Sequence, residues 1–146
     1  MAPRSNLSEG TSRWAAGEVV TLAGIGLRRG PGMGLTSAFI FALDDADLGS
    51  TCAVVTDGQR SGLVNTSIVM GEASPEAAVG GPWDWSVDCD TITIDLDWQV
   101  LDPEVPAGEL AQRRAAFTPP GPSGENGWLG VYERTVGPAR GPAGRR

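Results

Sequence analysis

The chain has 146 residues, a formal net charge of −7, eleven arginines, and neither lysine nor histidine. That excludes imidazole bases, histidine metal ligands, Ser–His–Asp and Cys–His units, Schiff-base lysines and the phosphate-binding lysine of a P-loop. Its 21 glycines and 11 prolines suit short strands, turns and irregular extensions.

In chain order, residues 1–17 read as an irregular N-terminal arm, with a short helical turn over Thr11–Ala16 that Gly17 ends. Glu18–Leu27 predicts a first strand, Arg28–Gly34 a loop, and the apolar, aromatic run Leu35–Leu43 a second strand. An acidic turn, Asp44–Ser50, leads to a third strand over Thr51–Thr56, and Asp57-Gly58 carries the signature of a two-residue hairpin turn. Ser61–Met70 predicts a fourth strand, followed by a loop over Glu72–Pro82. From Thr91 to Val100, Ile92, Ile94, Leu96, Trp98 and Val100 alternate with polar residues, the pattern of a half-buried antiparallel strand with Trp98 in the core. Upstream, Trp83, Trp85, Val87 and Cys89 hold the opposite parity, so the register resets near Cys89–Asp90. Ala107–Phe117 is the helix candidate, Thr118–Gly127 a loop, and Trp128–Val136 a last strand. The expected fold is all-β: an antiparallel sandwich or barrel of about six strands with one short helix. This domain, residues 18–136, lies between the extended arm 1–17 and a Gly/Pro/Arg-rich basic tail, 137–146.

No apolar signal-peptide core opens the chain, and no window approaches the ~18 apolar residues of a membrane span. The charge is unevenly spread. Residues 37–136 hold four arginines against sixteen acids, whereas both ends are basic. An acidic body between basic ends fits arms that reach acidic neighbours, including copies of the same chain.

Few constellations carry chemistry. The glycine-rich stretch Arg28–Ser37 lacks the Gly-Lys-Ser/Thr of a P-loop. Asp88/Asp90 and Asp95/Asp97 are spaced to share a strand face at roughly 6.6 Å, and solvent explains the second pair. Asp44, Asp45 and Asp47, or Asp88 and Asp90, offer hard oxygens of the kind calcium takes, but no EF-hand register is met. Cys52 and Cys89 are too few for a soft-metal site; a buried reduced pair is the first reading and a disulfide the alternative. No catalytic residue, metal or cofactor is therefore expected. Trp83 and Trp85 could flank a ligand groove, with core or interface packing as the plainer reading. Partner contacts are expected from Arg4, Arg13, Trp14, Arg28, Arg29, Arg140, Arg145 and Arg146, since arginine and aromatic residues dominate interface hot spots.

In general character the chain is similar to small virion accessory proteins of phages. The expectation is a non-enzymatic structural protein of a virion, assembled in the host cytoplasm, such as a capsid decoration (cement) or minor capsid protein. It would form homo-oligomers, clamp itself and a neighbouring shell protein through its arms, and bind neither nucleic acid nor membrane. A neck or tail protein, or a small carbohydrate- or ligand-binding β-module, is the alternative.

Overall fold

The computed structural model describes residues 14–29, 34–63, 66–118 and 126–137. Strand β1 (Val19–Leu22) is followed by helix α1 (Gly34–Asp45), and the chain returns as β2 (Ala53–Thr56), parallel to β1 with Val20 opposite Val54. Strand β3 (Ile68–Met70) adds in parallel on the far side of β2, giving the order β1-β2-β3. All four residues of β2 are buried. A run rich in β-branched residues and without alternation, here Ala-Val-Val-Thr, is what a central parallel strand covered on both faces requires.

Helix α1 covers this sheet. Its buried residues, Thr36, Phe39, Ile40 and Leu43, recur at i, i+3, i+4 and i+7, one apolar stripe of a 3.6-residue period. Val20, Phe39, Leu43 and Val54 form the core cluster, and Trp14, Leu22, Leu48 and Val69 pack against it. Fully burying a side chain such as Phe39 or Leu43 stabilises the fold by roughly 1.5–3 kcal/mol.

Two 3-10 turns, Ala77–Val79 and Pro82–Asp84, lead from the sheet to an antiparallel hairpin of β4 (Ile92–Asp95) and β5 (Val100–Pro103). Its turn is pinned by Asp95, whose Oδ1 accepts the Trp98 N–H at 2.9 Å, and Gln99 takes a left-handed φ of 54°. Helices α2 (Ala107–Ala116) and α3 (Trp128–Thr135) follow.

This α/β arrangement overturns the expected all-β sandwich. Leu35–Leu43 is helical because a short continuous apolar run fits a buried strand and a buried helix equally well, and here the 3.6-residue stripe has a sheet to cover. Trp128–Val136, rich in strand-favouring side chains, is helix over Trp128–Thr135; strand propensity is weak where no sheet edge receives it. Asp57-Gly58 is not a hairpin turn, since β2 and β3 run parallel. The alternating run breaks at Leu96–Gln99, so Trp98 sits on a turn, 81 % exposed, instead of in the core. Trp83 and its neighbours belong to a 3-10 turn, not to a strand of opposite parity. The helix expected at Ala107–Phe117 is present as α2.

Candidate functional site at the strand ends

Parallel sheets place ligands at the carboxyl ends of their strands, where the connecting loops converge. Here three segments meet: 23–29 after β1, 57–63 after β2, and 71–76 after β3. Thr56, the last residue of β2, donates its hydroxyl to the Leu22 carbonyl at 2.8 Å and accepts the Gly58 N–H at 2.9 Å. That tethers the ends of β1 and β2 and turns the chain sharply into the 57–63 loop. Gly58 packs so closely that a Cβ there would stand 2.8 Å from Ile25 and 2.9 Å from the Thr36 hydroxyl.

Asp57 and Glu76 are each only 1 % exposed. The Asp57 carboxylate accepts three backbone N–H groups: Ile25 on Oδ1 at 3.0 Å, and Gly24 and Ala77 on Oδ2, both at 3.1 Å. Glu76 Oε2 accepts the Arg28 N–H at 3.0 Å. The two carboxylates close around Gly26, where a Cβ would lie 2.7 Å from Glu76 Oε2 and 3.1 Å from Asp57 Oδ2. Burial pushes the Asp57 carboxyl up, the negative Glu76 adds to this, and the three N–H donors oppose it. Asp84 is also pushed up, first by burial and then by Asp57, with Arg29 pulling the other way. Among the described residues, Asp84 Oδ2, an acceptor, and Arg28 Nε, a donor, are buried polar atoms of this region without a hydrogen-bond partner. Gln59 Nε2 donates to Glu72 Oε1 at 3.2 Å, and Ser61 Oγ accepts the Leu63 N–H at 3.3 Å. Beside the loops an open cavity of about 520 Å³ runs between Ala73, Ser74 and Trp83 on one side and Gln99–Asp102 of the hairpin on the other.

Of the residues expected to bind partners, Arg28 and Arg29 stand at this site. Arg29 is exposed; Arg28 is half-buried, its backbone held by Glu76. Trp14 packs on the chain's own core. Arg4, Arg13, Arg140, Arg145 and Arg146 lie outside the described residues. Trp83 is buried and contributes to the cavity wall, while Trp85 is half-buried with its Nε1–H on the Gly80 carbonyl. The cysteines are free and do not form a buried pair, because Cys89 is exposed. Asp90 is held below the usual carboxylate range by Arg113, which grips it with both terminal nitrogens at 2.6 and 3.1 Å. Among the described residues, no three acidic or sulfur side chains converge to hold a metal ion.

Asp57, Glu76 and Asp84 are the residues that reading the sequence missed. The signal was present. An unbroken Ala-Val-Val-Thr run marks a strand buried on both faces, and the Asp-Gly that follows such a strand stands at the sheet's carboxyl edge.

Residues 5–143 match the family described as the dihydroxy-acid/6-phosphogluconate dehydratase C-terminal domain. The chain belongs to this family. Among its relatives, the dihydroxy-acid dehydratase of Sulfurisphaera tokodaii is 40 % identical over 119 residues, covering 82 % of this chain and 21 % of the relative. That of Chloroflexus aurantiacus is 41 % identical over 124 residues, covering 85 % and 22 %. The mitochondrial dihydroxy-acid dehydratase of Aspergillus fumigatus is 41 % identical over 126 residues, covering 81 % and 21 %. The chain thus spans about a fifth of the length of the curated dehydratases it matches.

Kinship with these dehydratases overturns the expectation of a non-enzymatic phage structural protein, and with it the virion location, since the relatives are metabolic enzymes of cells. The physical reason is narrow. Missing histidine and lysine remove the chemistries of those two side chains only; carboxylates, hydroxyls and guanidinium groups remain, and four-fifths of each relative lies outside the matched region.

Proposed function

We propose that this chain is the C-terminal part of a dehydratase acting on a dihydroxy acid, and that it supplies one wall of the substrate site at the ends of β1, β2 and β3. The observation that carries this is its 40–41 % identity, over more than four-fifths of its length, to proteins named dihydroxy-acid dehydratase. Loss of water from adjacent hydroxyl-bearing carbons breaks one C–H and one C–O bond. The proton goes to a base, the leaving hydroxyl takes up a proton, and the resulting enol tautomerises to a keto acid without net redox change. With no imidazole or amine, this chain contributes oxygens and guanidinium groups: Arg28 and Arg29 suit a substrate carboxylate, and the 57–63 loop offers Gln59 and Ser61 to hydroxyls. Exposed Leu96, Trp98, Trp128 and Leu129 suit contact with the remainder of such an enzyme.

The test is a chimera in which this chain replaces the matching segment of the Chloroflexus aurantiacus enzyme. Keto-acid formation from a dihydroxy acid within about tenfold of the parent rate is expected, a loss of about 1.4 kcal/mol or less in transition-state stabilisation. A folded chimera that dehydrates no dihydroxy acid overturns the proposal, and turnover of 6-phosphogluconate instead would reassign the substrate.

A further inference from the structure

Taking that dehydratase assignment as the basis, we infer that Asp57 and Glu76 are positioning residues: together they clamp the 23–29 loop so that Arg28 receives an oxygen of the acidic substrate. Among the described residues, the Asp57 carboxylate takes the backbone N–H groups of Gly24, Ile25 and Ala77 and the Glu76 carboxylate that of Arg28, so that three of these donors come from the loop itself. The loop therefore hangs on two buried side chains from other segments, not on a strand ladder. Gly26 lets it approach within van der Waals contact of both carboxylates, an arrangement that any Cβ would disturb.

Placing two carboxylates side by side in the interior is costly in desolvation and mutual repulsion. Asp84 adds a third negative group close by, and the positive charge of Arg29 opposes it. Hydrophobic residues of similar size would hold a sheet edge at lower cost, so the arrangement makes sense where the loop's exact backbone path matters. What that path carries is Arg28, with a buried Nε that no group among the described residues accepts. An unpaired buried donor is unfavourable until an acceptor arrives. A carboxylate or hydroxyl oxygen of a dihydroxy acid is such an acceptor.

Substitutions separate this role from simple packing. Asp57→Asn keeps the shape but leaves one oxygen, so an amide nitrogen must face either Ile25 or the Gly24 and Ala77 donors. Glu76→Gln keeps an acceptor for Arg28, whereas Glu76→Ala removes it. Gly26→Ala pushes on both carboxylates from the loop side. Amide hydrogen exchange on the chain itself reads the clamp without turnover. Asp57→Asn and Gly26→Ala should accelerate exchange at Gly24 and Ile25 by about tenfold or more, with Val54 and Val55 of β2 unchanged. Glu76→Ala should free the Arg28 amide, and Glu76→Gln should restore its protection. Unchanged loop amides, or acceleration spread equally into β2, would overturn the clamp whether or not the dehydratase assignment stands. In the active chimera, Asp57→Asn and Arg28→Gln should both raise KM by about tenfold with a smaller change in kcat. An unchanged KM in either variant would overturn the link from clamp to substrate, while an inactive unsubstituted chimera would count against the assignment alone.

Discussion

At the scale of single residues, Gly81 shows how tightly the 3-10 turns are set against the sheet. A Cβ on Gly81 would stand 1.7 Å from the Pro75 carbonyl oxygen and 2.6 Å from its carbon, and both atoms belong to backbone that also carries Glu76. Gly62, by contrast, has nothing within 4 Å of such a Cβ. Gly81→Ala is therefore expected to cost about 3 kcal/mol or more, and Gly62→Ala less than about 0.5 kcal/mol, in urea unfolding of the chain. Equal midpoints for the two variants would show that the Pro75–Gly81 turn yields. The carboxylates add a pH dependence whose sign can be worked out. Asp57 and Asp84 have folded pKa values above 3.8, so the native state binds more protons than the unfolded chain between 3.8 and those raised values. Stability contributed by these two groups therefore falls as pH rises through that window. Asp90 has the opposite sign: its pKa is lowered by Arg113, so its contribution is present above 3.8 and disappears as pH falls through the lowered value. Asp90→Asn should thus be less stable than the parent at neutral pH, with the difference closing in acid. A difference that stays constant across an acid titration would show that Arg113 does not stabilise the ionised form.

At the scale of elements, α2 depends on that same contact. The helix has ten residues and none of them is buried, so neither length nor an apolar face secures it. Its anchor is Arg113, which forks onto Asp90 and also reaches Glu109 one turn earlier on the same helix. Arg113→Lys keeps the charge but loses the planar fork. Both Arg113→Lys and Arg113→Ala are expected to lower far-ultraviolet helicity and to expose the Arg114 bond to trypsin, the alanine variant more strongly. Unchanged cleavage would mean that Phe117, half-buried at the end of α2, holds the helix by itself. The helices also show what could be read in advance. Ala107–Phe117 was legible because its residues favour helix. Helix α1 was hidden inside an apolar run whose stripe is visible only once Thr36 is counted as buried. The β4–β5 turn was hidden by chance alternation, since Leu96 and Trp98 continue the pattern of Ile92 and Ile94 while facing solvent.

Across the whole molecule, the candidate site was less legible than the fold because its residues serve through parallel pairing, which periodicity cannot reveal. Asp57 looked like a turn residue, and only the parallel register of β2 with β1 and β3 turns it into the buried centre of three loops. The exposed apolar side chains carry the complementary information. Trp128 is 88 % exposed, Trp98 81 %, Leu96 66 % and Leu129 53 %, values unlike those of the core cluster. Side chains so exposed lose little on truncation in the isolated chain, so Trp98→Ser with Trp128→Ser should leave the unfolding free energy within about 0.5 kcal/mol of the parent. If the same side chains pack against the other four-fifths of a dehydratase, the double variant in the chimera should lose assembled enzyme and activity together, with the surviving fraction retaining an unaltered KM. A chimera that assembles and turns over normally with both tryptophans gone would show that these residues face solvent in the whole enzyme as well, and the contact would then have to be sought on another face.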